Sequence, residues 1–277
     1  MVPAAEPRLM RVSAAIIALD EARHIVPCVR SLAWADEILV LDGGSRDGTK
    51  ALAQTAGARV IDAPFVDFAH QRQRALGEAR HSWVLFVDAD ERVSSGLAAE
   101  IRREIRTAPD RGVRGFWIPR RNYIRGQWVR GGGWWPDYQL RLMTRTDAGY
   151  LLDRPVHELV RIDGEVAHLI CGLAHYNYES YRQFVRKQLR YAEIEATRTR
   201  RAGTKPPVRA LVTAPAREFW RRLVVERGYV DGIAGVTLAG LMAVHSAAVV
   251  ALSYAGSERT ASRSERKLPT SITSPTV

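Results

Sequence analysis

The chain has 277 residues, 46% of them hydrophobic, with two cysteines and a formal net charge of +11 at pH 7. That length and apolar content exclude a disordered chain or a disulfide-stapled minidomain and fit one large domain with an appendage. The charge requires a partner that accepts it: anionic lipid, a phosphorylated acceptor or nucleic acid.

Residues 1–9 have neither the basic start nor the apolar core of a signal peptide, so they read as a flexible leader and secretion is not expected. Ser13 to Leu19 reads as a first strand ending in Asp20 and Glu21. Ile25 to Trp34 then has helical spacing, and Glu37 to Leu41 makes a second strand, which is β-α-β order. Two apolar runs, Leu39-Val40-Leu41-Asp42 and Trp83-Val84-Leu85-Phe86-Val87-Asp88-Ala89-Asp90-Glu91, end in acids. Each delivers carboxylates to the C-terminal edge of a strand, where open α/β sheets bind ligands. The loop Asp42 to Asp47 is rich in Gly and Asp but carries neither G-x-G-x-x-G nor G-x-x-x-x-G-K-[ST], which disfavours a dinucleotide or P-loop site. In an extended segment Asp88 and Asp90 face one way and Ala89 the other. Carboxylates that close repel unless a cation or proton separates them, and such oxygen ligands favour Mg2+ or Mn2+ shared with substrate phosphates. A lone D-x-D serves equally as a turn former or helix cap.

Further along, Arg114, Arg120, Arg121, Arg125 and Arg130 form one basic group and Arg217, Arg221, Arg222 and Arg227 a second. Aromatic residues interleave at Phe116-Trp117 and Trp134-Trp135, yet no RNP-like sequence, zinc spacing or basic recognition helix accompanies them. Nucleic acid is therefore not expected, and an anionic membrane surface or a phosphorylated glycolipid accounts for the charge. Cys28 and Cys171 fall in an apolar-patterned helix and strand and read as buried free thiols, which implies a cytosolic setting. Tyr178 to Arg201 has the pattern of an amphipathic helix, and Gly203 to Pro207 breaks it as a linker. Ile233 to Leu252 has no charged residue, and as a helix it would extend about 30 Å, near a bilayer core's thickness. Its many small residues and His245 weaken its transfer gain, so a helix docked on the catalytic domain or lying in the membrane interface is expected over a true span. The tail over 257–277, rich in Ser, Thr and Arg, reads as disordered.

The order Asp20-Glu21, then Asp42-Gly43-Gly44-Ser45-Arg46-Asp47-Gly48-Thr49, then Asp88-Ala89-Asp90 resembles family 2 glycosyltransferases with a GT-A nucleotide-sugar domain. Trp134-Trp135-Pro136-Asp137 with Arg141-Leu142, Val156-His157-Glu158, His175-Tyr176 and Gly228-Tyr229-Val230-Asp231-Gly232 make the lipopolysaccharide-core β-glucosyltransferase type the most similar branch. The resemblance covers roughly Val12 to Tyr254. It implies that Asp42 contacts the base of a uridine-type nucleotide, Asp88 its ribose, and Asp90, with Asp88, the metal that bridges the diphosphate. Glu21 would line the nucleotide pocket beside Asp20, which departs from the Asn more often found there, and Arg72 would approach the nucleotide from a third helix. The resemblance further implies an inverting transfer, which needs a general base. Glu158 is the first choice, Asp137 the competitor, and His157 could orient the base, ligate the metal or cap a turn. Trp134 and Trp135 offer apolar platforms for sugar rings or fill a core, and Arg130 and Arg141 fall on the acceptor side.

The sequence thus predicts an α/β chain of GT-A fold, a mixed, mainly parallel sheet flanked by helices, with a helical C-terminal extension. The catalytic domain spans 10–177, its nucleotide-sugar half about 10–110 and its acceptor half about 111–177, followed by a membrane-associated helical region over 178–256. The expected activity is metal-dependent transfer of a hexose, glucose by the branch resembled, from a UDP-sugar to a lipopolysaccharide-core or other glycolipid acceptor. The expected place is the cytoplasmic face of the inner membrane, peripherally attached. Two other classes use the same features: a nucleotidyltransferase on the D-x-D metal site, which would release pyrophosphate, and a non-catalytic lipid- or nucleic-acid-binding scaffold.

Overall fold

The computed structural model describes residues 10–152 and 160–264, with side chains to residue 255. Its first half alternates strands and helices: β1 (Val12–Ala18), α1 (Ala22–Ser31), β2 (Glu37–Asp42), α2 (Thr49–Thr55), β3 (Arg59–Asp62), α3 (Phe68–Glu78) and β4 (Trp83–Asp88). A short β5 (Glu91–Arg92), α4 (Ser95–Thr107), the long β6 (Val113–Ile124), β7 (Gln127–Trp128) and β8 (Asp137–Thr144) follow. Then come β9 (Ala148–Tyr150), β10 (Val160–Ile162), β11 (Glu165–His168) and β12 (Leu173–Tyr178). The ten-stranded sheet has the order β3-β2-β1-β4-β8-β6-β12-β5, with β7 and β11 paired to β6, while β9 and β10 form a separate hairpin.

The sheet is mixed, as expected. Strands β3, β2, β1 and β4 run parallel, and β8 reverses direction against β4 and again against β6. The parallel strands are apolar at nearly every position because both faces are covered. Alternate side chains feed two cores: Trp83, Leu85 and Val87 pack with α1 and α4, and Val84 and Phe86 pack with α3. Local caps set the helix starts. Asp67 accepts from the His70 amide at 2.8 Å, and Ser94 accepts from that of Leu97 at 3.2 Å.

Register fixes the site. Ala18 pairs with Asp42 on one side of β1, and its neighbour Ile17 pairs with Asp88 on the other. Three adjacent parallel strands therefore end together, and their acids share one edge.

The chain divides into two compact units, one of 1–128 with 134–177 and a second of 129–133 with 178–277. In the second, α5 (Tyr181–Arg201) and α6 (Ala210–Trp220) both pack along α7 (Gly232–Ser264). A π-helical turn over Arg221–Val225 and a 3-10 turn over Gly228–Asp231 join α6 to α7. Asp231, within the Gly228 to Gly232 motif, is buried and accepts from the Arg130 amide at 3.0 Å and the Gly131 amide at 2.7 Å. The motif is thus a structural clasp on the 129–133 segment. Gly131 has no alternative there, because a Cβ would fall 2.2 Å from the Arg227 carbonyl oxygen.

Two expectations change. Helix α7 continues to Ser264, past residue 257 where the tail was expected to begin; an established helix extends through Ser, Glu, Arg and Ala at little cost. Cys171 lies in the loop between β11 and β12, half-buried, not in a strand.

Candidate active site

The loop after β2 is built by its own acids. Asp42 is buried, and its Oδ2 accepts from the amides of Gly44 at 3.1 Å and Ser45 at 3.0 Å. Its Oδ1 is also buried and has no hydrogen-bond partner, an arrangement that costs free energy unless a ligand donor meets it. Asp20 adopts φ +56, and its carboxylate accepts from the Arg46 amide at 2.8 Å while its own amide donates to Ser45 Oγ at 3.0 Å. Asp tolerates that left-handed backbone almost as Asn does, and its bonds brace the loop. The Glu21 amide donates to Thr49 Oγ1 at 2.8 Å, tying α1 to α2 beside that loop.

At the end of β4, Asp88 is taken up by arginines. Arg141 from β8 is almost fully buried and donates to Asp88 Oδ1 at 3.1 Å and to Glu91 Oε1 at 3.3 Å. Arg72 from α3, its guanidinium 5.5 Å from the centre of the Phe86 ring, reaches Asp88 Oδ1 at 3.3 Å. Burial would raise the Asp88 carboxyl, but Arg141 and Arg72 outweigh it and hold the group well below the ordinary range. Glu91, also fully buried, accepts from the Asp88 amide at 2.8 Å; burial pushes its carboxyl up against the pull of Arg141. Arg141 is thus a counter-ion of the strand-end acids Asp88 and Glu91.

Asp90 is different. His175 from β12 places Nε2 3.4 Å from Asp90 Oδ2, and the Tyr176 amide donates to the Asp90 carbonyl at 2.9 Å. Asn122 on β6 fixes the imidazole. Its Nδ2 donates to the Trp134 carbonyl at 3.1 Å and to Asp137 Oδ2 at 3.2 Å, so its Oδ1 is the atom 2.7 Å from His175 Nδ1. That oxygen only accepts, hence Nδ1 donates to it and the Nε2 edge of the ring faces Asp90. Asp137 completes the chain: Arg120 at 2.7 Å, Asn122 and Gln139 all donate to it. Burial opposes them, yet together they keep its carboxyl below its ordinary value.

The aromatic surface also moves. Trp135 meets Trp128 edge-on at 5.6 Å, and Arg121 lies 5.1 Å from the Trp128 ring and 5.8 Å from that of Trp135, so these rings are engaged with protein. Trp134 contributes its carbonyl to Asn122. Exposed aromatic area beside Asp90 comes instead from Tyr176, stacked on Tyr123 at 5.1 Å. Arg130 belongs to the second unit, its amide held by Asp231. His157 and Glu158 lie outside the described residues. Glu91, Asn122 and Tyr123 were missed in the sequence, and His175-Tyr176 was noticed only as a motif. The legible signal was a pair of polar residues, Asn122 and His175, at inward-facing positions of two strands.

A cavity of about 470 Å³ lined by Trp83, Arg114, Thr144 and Asp147 lies at the opposite end of β4 and takes no part in this cluster.

The model of glycosyl transferase family 2 matches residues 13–162, from β1 to β10. The chain belongs to this family. A curated relative, the lipopolysaccharide core biosynthesis glycosyltransferase LpsC of Rhizobium meliloti (strain 1021), is 32% identical over 220 residues, 76% of this chain and 79% of that one. An uncharacterized glycosyltransferase of Rickettsia typhi is 27% identical over 82% of this chain and 81% of its own. Among solved structures, glucosyl-3-phosphoglycerate synthase from Mycobacterium tuberculosis, in complex with Mn2+, UDP and glucosyl-3-phosphoglycerate, superposes with TM-score 0.44 at 19% identity, over 72% of this chain and 82% of that one. The protein is therefore a family 2 glycosyltransferase.

Proposed function

We propose that this glycosyltransferase moves a hexose, glucose by the branch it resembles, from a UDP-sugar to a lipopolysaccharide-core or related glycolipid acceptor. The transfer is inverting, and the protein is peripherally attached to the cytoplasmic face of the inner membrane. The observation that carries the donor assignment is the Asp90–His175 pair. Its carboxylate oxygen and imidazole nitrogen meet at 3.4 Å on the strand-end edge, where Asp90, with His175 beside it, would hold a divalent cation together with diphosphate oxygens. No group of three or more protein ligands exists among the described residues, which suits Mg2+ or Mn2+ completing its shell with waters and diphosphate oxygens. When bound, such an ion would offset the charge that develops on the leaving diphosphate.

The chain's own residues do the rest. The free Oδ1 of Asp42 accepts from a base N–H, as uracil offers. Asp88, ionised and fixed by Arg141 and Arg72, accepts from a ribose hydroxyl. Tyr176 gives a face for a sugar ring. The acceptor oxygen attacks the anomeric carbon, the bond from that carbon to the diphosphate oxygen breaks, and the electron pair leaves with the nucleoside diphosphate. The acceptor proton needs a base. Asp137, bonded by three donors, is a weak one, so Glu158 takes this role.

Manganese-dependent release of nucleoside diphosphate from a panel of UDP-, GDP- and ADP-sugars tests the donor class, and released pyrophosphate would identify a nucleotidyltransferase instead. Asp90→Ala should lower release by a factor on the order of a thousand. Glu158→Gln should abolish transfer to acceptor with donor binding intact; equal transfer by the variant refutes the base assignment.

A further inference from the structure

Helix α6 turns its apolar residues outward. None of its residues is buried, and Val208, Val212 and Trp220 are 72%, 73% and 62% exposed. These positions, with Ala216 between, recur every four residues and form one stripe. Exposed apolar residues continue beyond α6, with Val225 66% exposed, Tyr229 and Val230 open in the turns, and Ile233 87% exposed at the start of α7. A packed helix that also leaves an apolar stripe on its free side has a second surface to meet.

Charge says which. Residues 202–230 hold six basic side chains and two acidic ones. Both acids are consumed locally: Glu218 pairs with Arg221 at 2.7 Å and Arg222 at 2.6 Å, and Glu226 pairs with Arg221. Arg209, Arg217 and Arg227 have no acidic partner among the described residues, and they border the apolar stripe. Exposed apolar residues flanked by unpaired arginines fit a lipid surface with anionic headgroups.

The arrangement also assigns the long apolar helix. Helix α7 is long and apolar enough to cross a membrane, yet α5 lies along it. His245 Nδ1 is 3.0 Å from the Gln188 carbonyl, His245 Nε2 is 3.6 Å from Glu195, and Arg200 donates to the Leu252 carbonyl. A spanning α7 would drag Arg190, Glu193, Glu195 and Arg198 into hydrocarbon. Helix α7 is thus the hub on which α5 and α6 are mounted.

We infer that the outer stripe of α6 and the turns after it is the face by which this protein lies on an anionic bilayer, with α6 flat in the headgroup boundary and no segment of the helical unit crossing. This deepens the peripheral attachment proposed above and rests on it; the readouts below are independent of sugar transfer, so either reading can fail alone.

The test is co-sedimentation of the full chain with vesicles of phosphatidylglycerol in phosphatidylethanolamine and with vesicles of phosphatidylcholine alone. Brominated acyl chains provide a depth probe. Binding to the anionic vesicles only is expected, with quenching that is reduced in Trp220→Phe, a variant that still binds. Combined Val212→Glu and Trp220→Glu should weaken binding by a factor on the order of ten or more at any salt. Replacing Arg209, Arg217 or Arg227 with Gln should cost about fivefold each and reduce the salt dependence. Manganese-dependent donor hydrolysis and the melting temperature should be unchanged in all of them. Absence of wild-type binding to anionic vesicles overturns the inference, as does undiminished binding by the double variant. A dimer in sedimentation velocity that the same double variant disperses, without vesicle binding, reassigns the stripe to a second copy.

Discussion

The strand-end cluster around Asp88 and the outer face of α6 depart from ordinary partitioning in opposite directions. The first takes Glu91 and Arg141 out of water beside the partly exposed Asp88, and the second leaves Val212 and Trp220 in it. Each departure is costly in a chain selected for stability alone, since buried charges lose solvation and exposed apolar area gains nothing. The difference teaches where to look for function: at buried charge where small ligands are held, and at exposed hydrocarbon where a large surface is met.

Removing one partner from each region should separate the two. Arg141→Leu strands the buried Glu91 carboxylate and takes the main counter-ion from Asp88, and should lower unfolding free energy by about 3–5 kcal/mol in denaturant titration. Val212→Ser, a comparable loss of side-chain character on α6, should change it by less than about 0.5 kcal/mol. Equal losses would end the comparison, because α6 would then be packed against something in the folded chain itself.

Within the first unit the comparison sharpens at Asn122. Among the described residues its hydrogen-bond partners are Trp134, Asp137 and His175, so Asn122→Ala removes the group that orients the imidazole. Manganese affinity, followed by the ion's paramagnetic resonance, should fall by about 10- to 100-fold. A structural role alone would lower the melting temperature without changing manganese affinity in the folded protein.

Much of this was legible beforehand, and unevenly. The apolar runs ending in Asp42 and Asp88 announced parallel strands, because a strand covered on both faces must be apolar throughout. The motif order pointed to the family. The contact of Arg141 with Asp88 was not legible, since one arginine looks like another until register sets β8 beside β4. The Asp90–His175 contact joins residues 85 positions apart, as the numbering in that ion pair shows, a distance across which no local pattern reports. The segment 233–252 drew attention for its uncharged length, whereas the lipid-facing reading fell to α6, whose mixture of Val, Ala, Arg and Trp has meaning only once its free side is known.

Acid titration gives the smallest effect and the finest comparison, because the two carboxylates of the cluster move in opposite senses. Asp88 is held below its unfolded value of about 3.9. Its contribution is therefore complete above that pH and lost as pH falls below it, by about 1 kcal/mol once the screening of its partly exposed carboxylate is allowed for. Glu91 is pushed above its unfolded value of about 4.3, so its effect occupies the other side: stability is gained as pH falls toward 4.3 and lost again as pH rises through the folded value. Asp88→Asn should flatten the stability profile below about pH 4, and Glu91→Gln should remove a rise on acidification above it. Urea titrations at matched ionic strength resolve the two windows. If Asp88→Asn leaves the profile below pH 4 as steep as in the parent, Arg141 is not the ion that sets Asp88, and the cluster's charge is balanced elsewhere.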